Sequence, residues 1–149
     1  MKTAIIYASV HHKNTEKLVS AVSAAIPDVL LLNATSVILK DLSSYDVIGI
    51  ASGIYMSKFH KSIIPFLNSN LPEHKKVFII YTSGSAGDYG KDILPVIQQK
   101  QCTILGTYNC RGYDTFGPFK LVGGLCKGHP DEADIAGAVD FVRKITDKR

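Results

Sequence analysis

Residues 2–19 read KTAIIYASVHHKNTEKLV. The run from Lys2 to Ser9 is nearly continuous in β-branched and aromatic side chains, as expected of a strand buried on both faces. After Ser9 the rhythm changes. From Asn14 to Ile26 the apolar residues Leu18, Val19, Val22, Ala25 and Ile26 recur at helical spacing, and Pro27 closes the segment. Between strand and helix lies SVHHKNT, a polar turn in the position where an α/β protein most often holds a ligand.

The alternation then repeats. DVLLLN (Asp28–Asn33) is a short second strand, DVIGIAS (Asp46–Ser52) the third, KKVFIIYTS (Lys75–Ser83) the fourth and CTILGTYNC (Cys102–Cys110) the fifth. KFHKSIIPFLNS reads as a helix in which Pro65 implies a kink or a late start. Another helix is expected around Asp88 to Gln99. The last starts near Asp131, with Pro130 before it and Asp131, Glu132 and Asp134 in its first turn. Its apolar face is Ala136, Val139, Phe141, Val142 and Ile145. Five strands alternating with helices predict a doubly wound parallel sheet between two helix layers, α/β/α, in one domain over residues 1–149. The commonest order is 2-1-3-4-5, which puts the ligand crevice at the carboxyl ends of strands one, three and four. A long irregular stretch, Arg111 to Pro130, separates the last strand from the last helix.

Composition narrows the function. No apolar run approaches the roughly 18 residues of a membrane span. The N-terminus has no signal-peptide h-region. Three cysteines (Cys102, Cys110 and Cys126) cannot all pair within one chain, which suits a cytoplasmic protein. The net charge of +4 comes from scattered lysines, with a Lys75-Lys76 doublet and a basic C-terminal fringe. Nucleic-acid binding calls for a clustered basic stripe with interleaved aromatics, and none is present.

If the crevice is real, the loops after strands one, three and four must look like one site. They are SVHHKNT (Ser9–Thr15), SGIYMSKFH (Ser52–His60) and TSGSAGDYG (Thr82–Gly90). All three open with hydroxyls, and two carry glycines that let backbone approach a ligand closely. The first leads into a helix N-terminus, whose unpaired N–H groups and positive dipole end favour an anion. Hydroxyls and amides without a carboxylate suit a phosphate. Ile54, Tyr55 and Met56 offer apolar, polarisable surface to a flat ring. His11 and His12 are no metal pair, since neighbouring side chains diverge and no third ligand stands at suitable spacing. They are candidate donors to the phosphate or plain loop residues. Cys110, Cys126 and His129 lack the fourth, paired ligand a zinc site needs.

With these loops in view the chain resembles a flavodoxin over essentially its whole length. The pattern is carried by Ser9, Asn14 and Thr15, by Ser52-Gly53-Ile54-Tyr55-Met56, and by Thr82-Ser83-Gly84-Ser85. SGIYMSKFHKSIIPFL and CRGYDTFGPF are similar to a short-chain flavodoxin-like subfamily of anaerobic prokaryotes. The resemblance implies a flavodoxin-like fold, and bound flavin mononucleotide (FMN) with its phosphate on the first loop, near His11, His12 and Lys13 as well. It places the ring between the other two loops, with Tyr89, Tyr113 or Phe116 as cover. It further implies electron transfer through oxidised, semiquinone and hydroquinone states, with a reductase and an acceptor protein as redox partners. The first loop departs from the family fingerprint: it is longer, has no glycine and carries Lys13. The net charge is basic where flavodoxins are usually acidic.

Two other users of this topology are excluded. A signalling receiver needs acidic residues after strand one and an aspartate ending strand three, where this chain has Ala8-Ser9 and Ala51-Ser52. A low-molecular-weight phosphatase needs a cysteine followed six residues later by arginine in the first loop. An enzyme on the same scaffold stays open. SGIYMSKFHKSIIPFL is also similar to the second flavin loop of menaquinone-dependent protoporphyrinogen oxidases, and a flavin-dependent quinone reductase is a further alternative.

Overall fold

A computed structural model describes residues 1–10, 12–114, 124 and 126–147. The chain opens on β1 (Thr3–Ala8), buried along its whole length as the continuous apolar run requires. Beside it lie β2 (Val29–Asn33) and β3 (Val47–Tyr55), both parallel to it. A two-residue strand, β4 (Lys58–Phe59), folds back antiparallel on the end of β3. β5 (Lys76–Ser83) and β6 (Thr103–Arg111) complete a parallel sheet of order β2-β1-β3-β5-β6. With β4 set aside, this is the 2-1-3-4-5 order expected of a doubly wound sheet.

Helices cover both faces. α1 (Asn14–Ala25) and α4 (Glu132–Thr146) pack on one side, over Ile5, Ala51, Phe78 and Ile80. α2 (Ile63–Asn70) and α3 (Leu94–Gln99) pack on the other, over Ile6, Ile48, Ile50 and Ile79. Gly49 on β3 stands in register with Phe78 on β5, and a Cβ there would run into the Phe78 ring. The missing side chain is thus what admits a phenylalanine at the centre of the sheet.

Three boundaries differ from the sequence expectation. α2 takes the late start that Pro65 allows, because Lys58 and Phe59 are used by β4. β3 runs on to Tyr55 to form that hairpin. α3 begins only at Leu94, after a 3-10 turn over Lys91–Ile93. The β5–β6 register slips between Val77, opposite Ile104, and Phe78, opposite Gly106. Leu105 is therefore an additional residue on the edge strand, a bulge that leaves Ile104 and Leu105 both partly exposed.

α4 starts as its acidic first turn predicts. Asp131 caps the Asp134 amide, and the Asp134 carboxylate accepts from the Asp131 amide, forming a capping box. His129 Nδ1 is 2.7 Å from Asp134 Oδ2. That hydrogen bond, against some burial, raises the His129 pKa above its ordinary 6.5. Burial pushes Asp134 up, but its bonds to His129 and the Asp131 backbone outweigh this and leave it below its ordinary 3.8. A raised imidazole stabilises the fold fully below 6.5, and loses that contribution as pH rises through its folded value. A lowered carboxylate does so above 3.8 and loses it as pH falls through its folded value. Urea midpoints should therefore plateau between these two values and fall on either side. In His129→Asn the alkaline decline should flatten; an unchanged decline would separate the pair from the pH dependence.

Candidate functional site

The first loop is built by the start of α1. Lys13, in a left-handed conformation (φ 54°), is its N-cap and supplies no side-chain cap. Asn14 and Thr15 open the helix, so their amides make no intrahelical bond. Ser9 Oγ takes the next one, accepting from Glu16 N at 3.0 Å. Thr15 is fully buried and its hydroxyl meets that of Thr82 at 2.9 Å, which joins the first loop to the end of β5. Asn14 Nδ2 donates to the Tyr113 carbonyl at 2.8 Å. Its Oδ1 is buried, with no hydrogen-bond partner among the described residues.

The second loop is the β3–β4 hairpin. Met56 and Ser57 form its two-residue turn, both with positive φ (51° and 67°), the conformation of a type I′ turn. Ser52 staples its base by donating to the Gly53 carbonyl at 2.6 Å and accepting from His60 N at 2.9 Å. Tyr55 reaches back across the first loop, where its hydroxyl accepts from Val10 N at 3.0 Å. The His60 ring stands edge-on to Tyr55, 5.4 Å between centroids, and its Nδ1 accepts from Ser62 N. Burial, then the charge of Lys61, lowers the His60 pKa.

The third loop is pinned by its own hydroxyls. Ser83 Oγ donates to the Ser85 carbonyl, and Ser85 Oγ lies 3.1 Å from the Tyr89 hydroxyl. Tyr81 OH donates to the Gly87 carbonyl, and the Tyr81 and Tyr89 rings meet edge to face. Beyond β6, Gly112 N donates to Ser83 O at 3.0 Å. At Gly84 a Cβ would collide with Asp114, so glycine is required for these two loops to touch.

Together the loops enclose a cleft of about 230 Å³. The first loop contributes Ser9, Asn14 and Thr15, the second Gly53, Ile54, Tyr55 and Met56, and the third Thr82, Ser83, Gly84 and Ser85. One end is thus polar, with helix amides and hydroxyls but no acidic side chain from the first loop. The other is walled by Ile54, Tyr55, Met56 and Tyr89.

No family model matches the chain. The uncharacterized protein MJ0298 of Methanocaldococcus jannaschii is 40% identical over 148 residues, spanning 97% of this chain and 98% of that one. The chain belongs to the family of that archaeal protein. Among solved structures, oxidised flavodoxin 2 from Bacillus cereus is similar over 100% of both chains, with a TM-score of 0.71 at 17% identity. Its fold is that of a flavodoxin. A Lactobacillus acidophilus flavoprotein solved in complex with FMN has a TM-score of 0.52 at 18% identity, over 72% of this chain and 92% of that one.

In this flavodoxin-like chain three of the expected site residues that the structure describes, Ser52, His12 and Lys13, are not brought to the cleft wall. Ser52 is buried below it as the hairpin staple. The His12 ring is stacked on Tyr113, 4.3 Å between centroids at an interplanar angle of 14°. Lys13 is exposed at the helix start. His11 lies outside the described residues, as does Phe116. Tyr89 and Tyr113, the expected aromatic covers, do line the cleft. So do Ser57, Gly112 and Asp114, which had not been singled out as ligand contacts. The available signal for Gly112 and Asp114 was topological: they follow the strand next to β5, at the same carboxyl edge. No helix among the described residues is long and apolar enough to cross a membrane.

Proposed function

We propose that this chain binds FMN in the cleft and carries electrons between protein partners in the cytoplasm. The observation that carries the reading is the meeting of the α1 N-terminus with the hairpin and the β5 loop around one cleft, polar at the helix and apolar at the hairpin. The donor set fits the group. The amides of Asn14 and Thr15 and the hydroxyls of Ser9 and Thr15 would hold the phosphate, where the helix dipole favours an anion. Buried Asn14 Oδ1, an acceptor with no donor among the described residues, suits a hydroxyl of the ribityl chain. Gly53 to Met56 and Thr82 to Ser85 would flank the ring, and Ile54 and Tyr89 would keep water from it. When bound, the flavin supplies the one- and two-electron redox chemistry. The protein's part is to hold the flavin, exclude solvent and present one edge to a partner. The three cysteines are free, which agrees with a reducing compartment.

Thermal denaturation with FMN and with FAD tests the reading. At a hundredfold excess over its dissociation constant FMN should stabilise the fold by about 2.7 kcal/mol, and FAD by less. No response to FMN, or an equal response to both, would reject it.

A further inference from the structure

The mouth of the cleft combines two properties. It exposes apolar side chains, Met56 (80% accessible) and Val10 (57%), on the two loops joined by the Tyr55–Val10 hydrogen bond. Met56 is held there by backbone with positive φ, a conformation uncommon for a residue that is not glycine, asparagine or aspartate. Such conformations persist where surrounding structure imposes them and are concentrated at functional sites. Here the hairpin ladder between β3 and β4 imposes it.

The second property is charge. The segments around the mouth carry Lys13, Lys58, Lys61, Arg111 and Lys127, against Asp88 and Asp114. Lys127 belongs to this group because its neighbour Cys126 donates to the Gly84 carbonyl. Neither Lys13 nor Lys58 is in an ion pair among the described residues, and both are exposed. A net positive charge around an apolar centre steers and aligns a partner of the opposite sign.

Resting on the FMN reading, we propose that the cleft mouth is the docking face for an acidic electron-transfer protein, with Met56 and Val10 at the centre of the contact and Lys58 and Lys61 at its rim. An anionic lipid surface is the lesser fit. Two exposed apolar side chains fall well short of the buried apolar area or second anchoring signal that stable membrane attachment takes.

The test uses FMN-loaded protein reduced with dithionite and two probes of opposite charge, acidic plastocyanin and basic cytochrome c. In each case one electron leaves the reduced flavin, Cu(II) becoming Cu(I) or Fe(III) becoming Fe(II), and any proton released goes to water. The rate with plastocyanin should fall as salt rises, and fall about tenfold or more in Lys58→Glu/Lys61→Glu at low salt. Cytochrome c should behave in the opposite sense, faster in the variant than in the wild type. Met56→Ser should slow plastocyanin without changing its salt slope. A plastocyanin rate indifferent to salt and to charge reversal overturns the docking face while leaving the FMN reading intact. So does salt-sensitive co-sedimentation with phosphatidylglycerol vesicles in place of that response. Protein that takes up no flavin overturns the FMN reading itself, and the two failures are told apart by the flavin spectrum before mixing.

Discussion

Phe78→Ala should destabilise the fold by roughly 3–5 kcal/mol, the range for removing a fully buried aromatic ring. Phe78 is the largest fully buried side chain among the described residues, and it meets Phe141 of α4 edge to face at 5.9 Å. Its ring occupies the space left by Gly49, so the site cannot close by small shifts of an opposing side chain. Domains are marginally stable, by about 5–15 kcal/mol in total, so the variant should lie near its folding limit at ambient temperature. Urea denaturation followed by far-ultraviolet circular dichroism measures it. A loss below about 1 kcal/mol would mean that the centre of the sheet relaxes freely, contrary to the tight Gly49–Phe78 fit. Gly49→Ala gives the converse check, since overpacking there should also cost stability, by about 1–3 kcal/mol.

Thr15→Val should act on both fold and ligand. The substitution keeps the branched shape and leaves the hydroxyl of Thr82, a residue only 3% exposed, without the partner it has at 2.9 Å. An unsatisfied buried hydroxyl costs about 1–3 kcal/mol, which denaturation without flavin reads directly. Loss of a donor to the phosphate should weaken FMN binding by roughly 1.5–3 kcal/mol, about ten- to a hundredfold. Thr15→Ser restores the hydroxyl and should recover most of both effects. Unchanged FMN affinity in Thr15→Val, by quenching of flavin fluorescence, would move the phosphate away from the first helical turn.

The contrast between these two positions shows what was legible in the sequence. A strand buried on both faces announces itself through a run such as TAIIYA, and α1 through Leu18, Val19 and Val22, because burial and backbone period act locally. Once those periods fix the order of elements, topology puts the three loops side by side. The hairpin was hidden because its turn is Met56-Ser57. Type I′ turns usually advertise themselves by Asn-Gly or Asp-Gly, and here tertiary pairing with Ile54 and Tyr55 enforces the positive φ instead. Ser52 looked like its neighbours in the loop, yet its hydroxyl is used by the hairpin base. No local pattern distinguishes a serine facing a cleft from one facing its own backbone. His12 likewise finds a partner about a hundred residues away, in Tyr113, and contacts of that range leave no trace in spacing.

The inserted Leu105 has a meaning for the molecule's life in a crowded solution. Among the described residues β6 is an edge strand, and from Thr103 to Cys110 it carries no charged side chain. Most natural sheets defend such an edge with an inward-pointing charge, a lysine row or a proline, because a straight uncharged ladder is a template for fibrillar growth. Here the defence is geometric. The bulge shifts the register of the ladder between Ile104 and Gly106, so an incoming strand meets an interrupted template. One leucine out of step protects this edge against self-templated aggregation where other folds spend a row of charges.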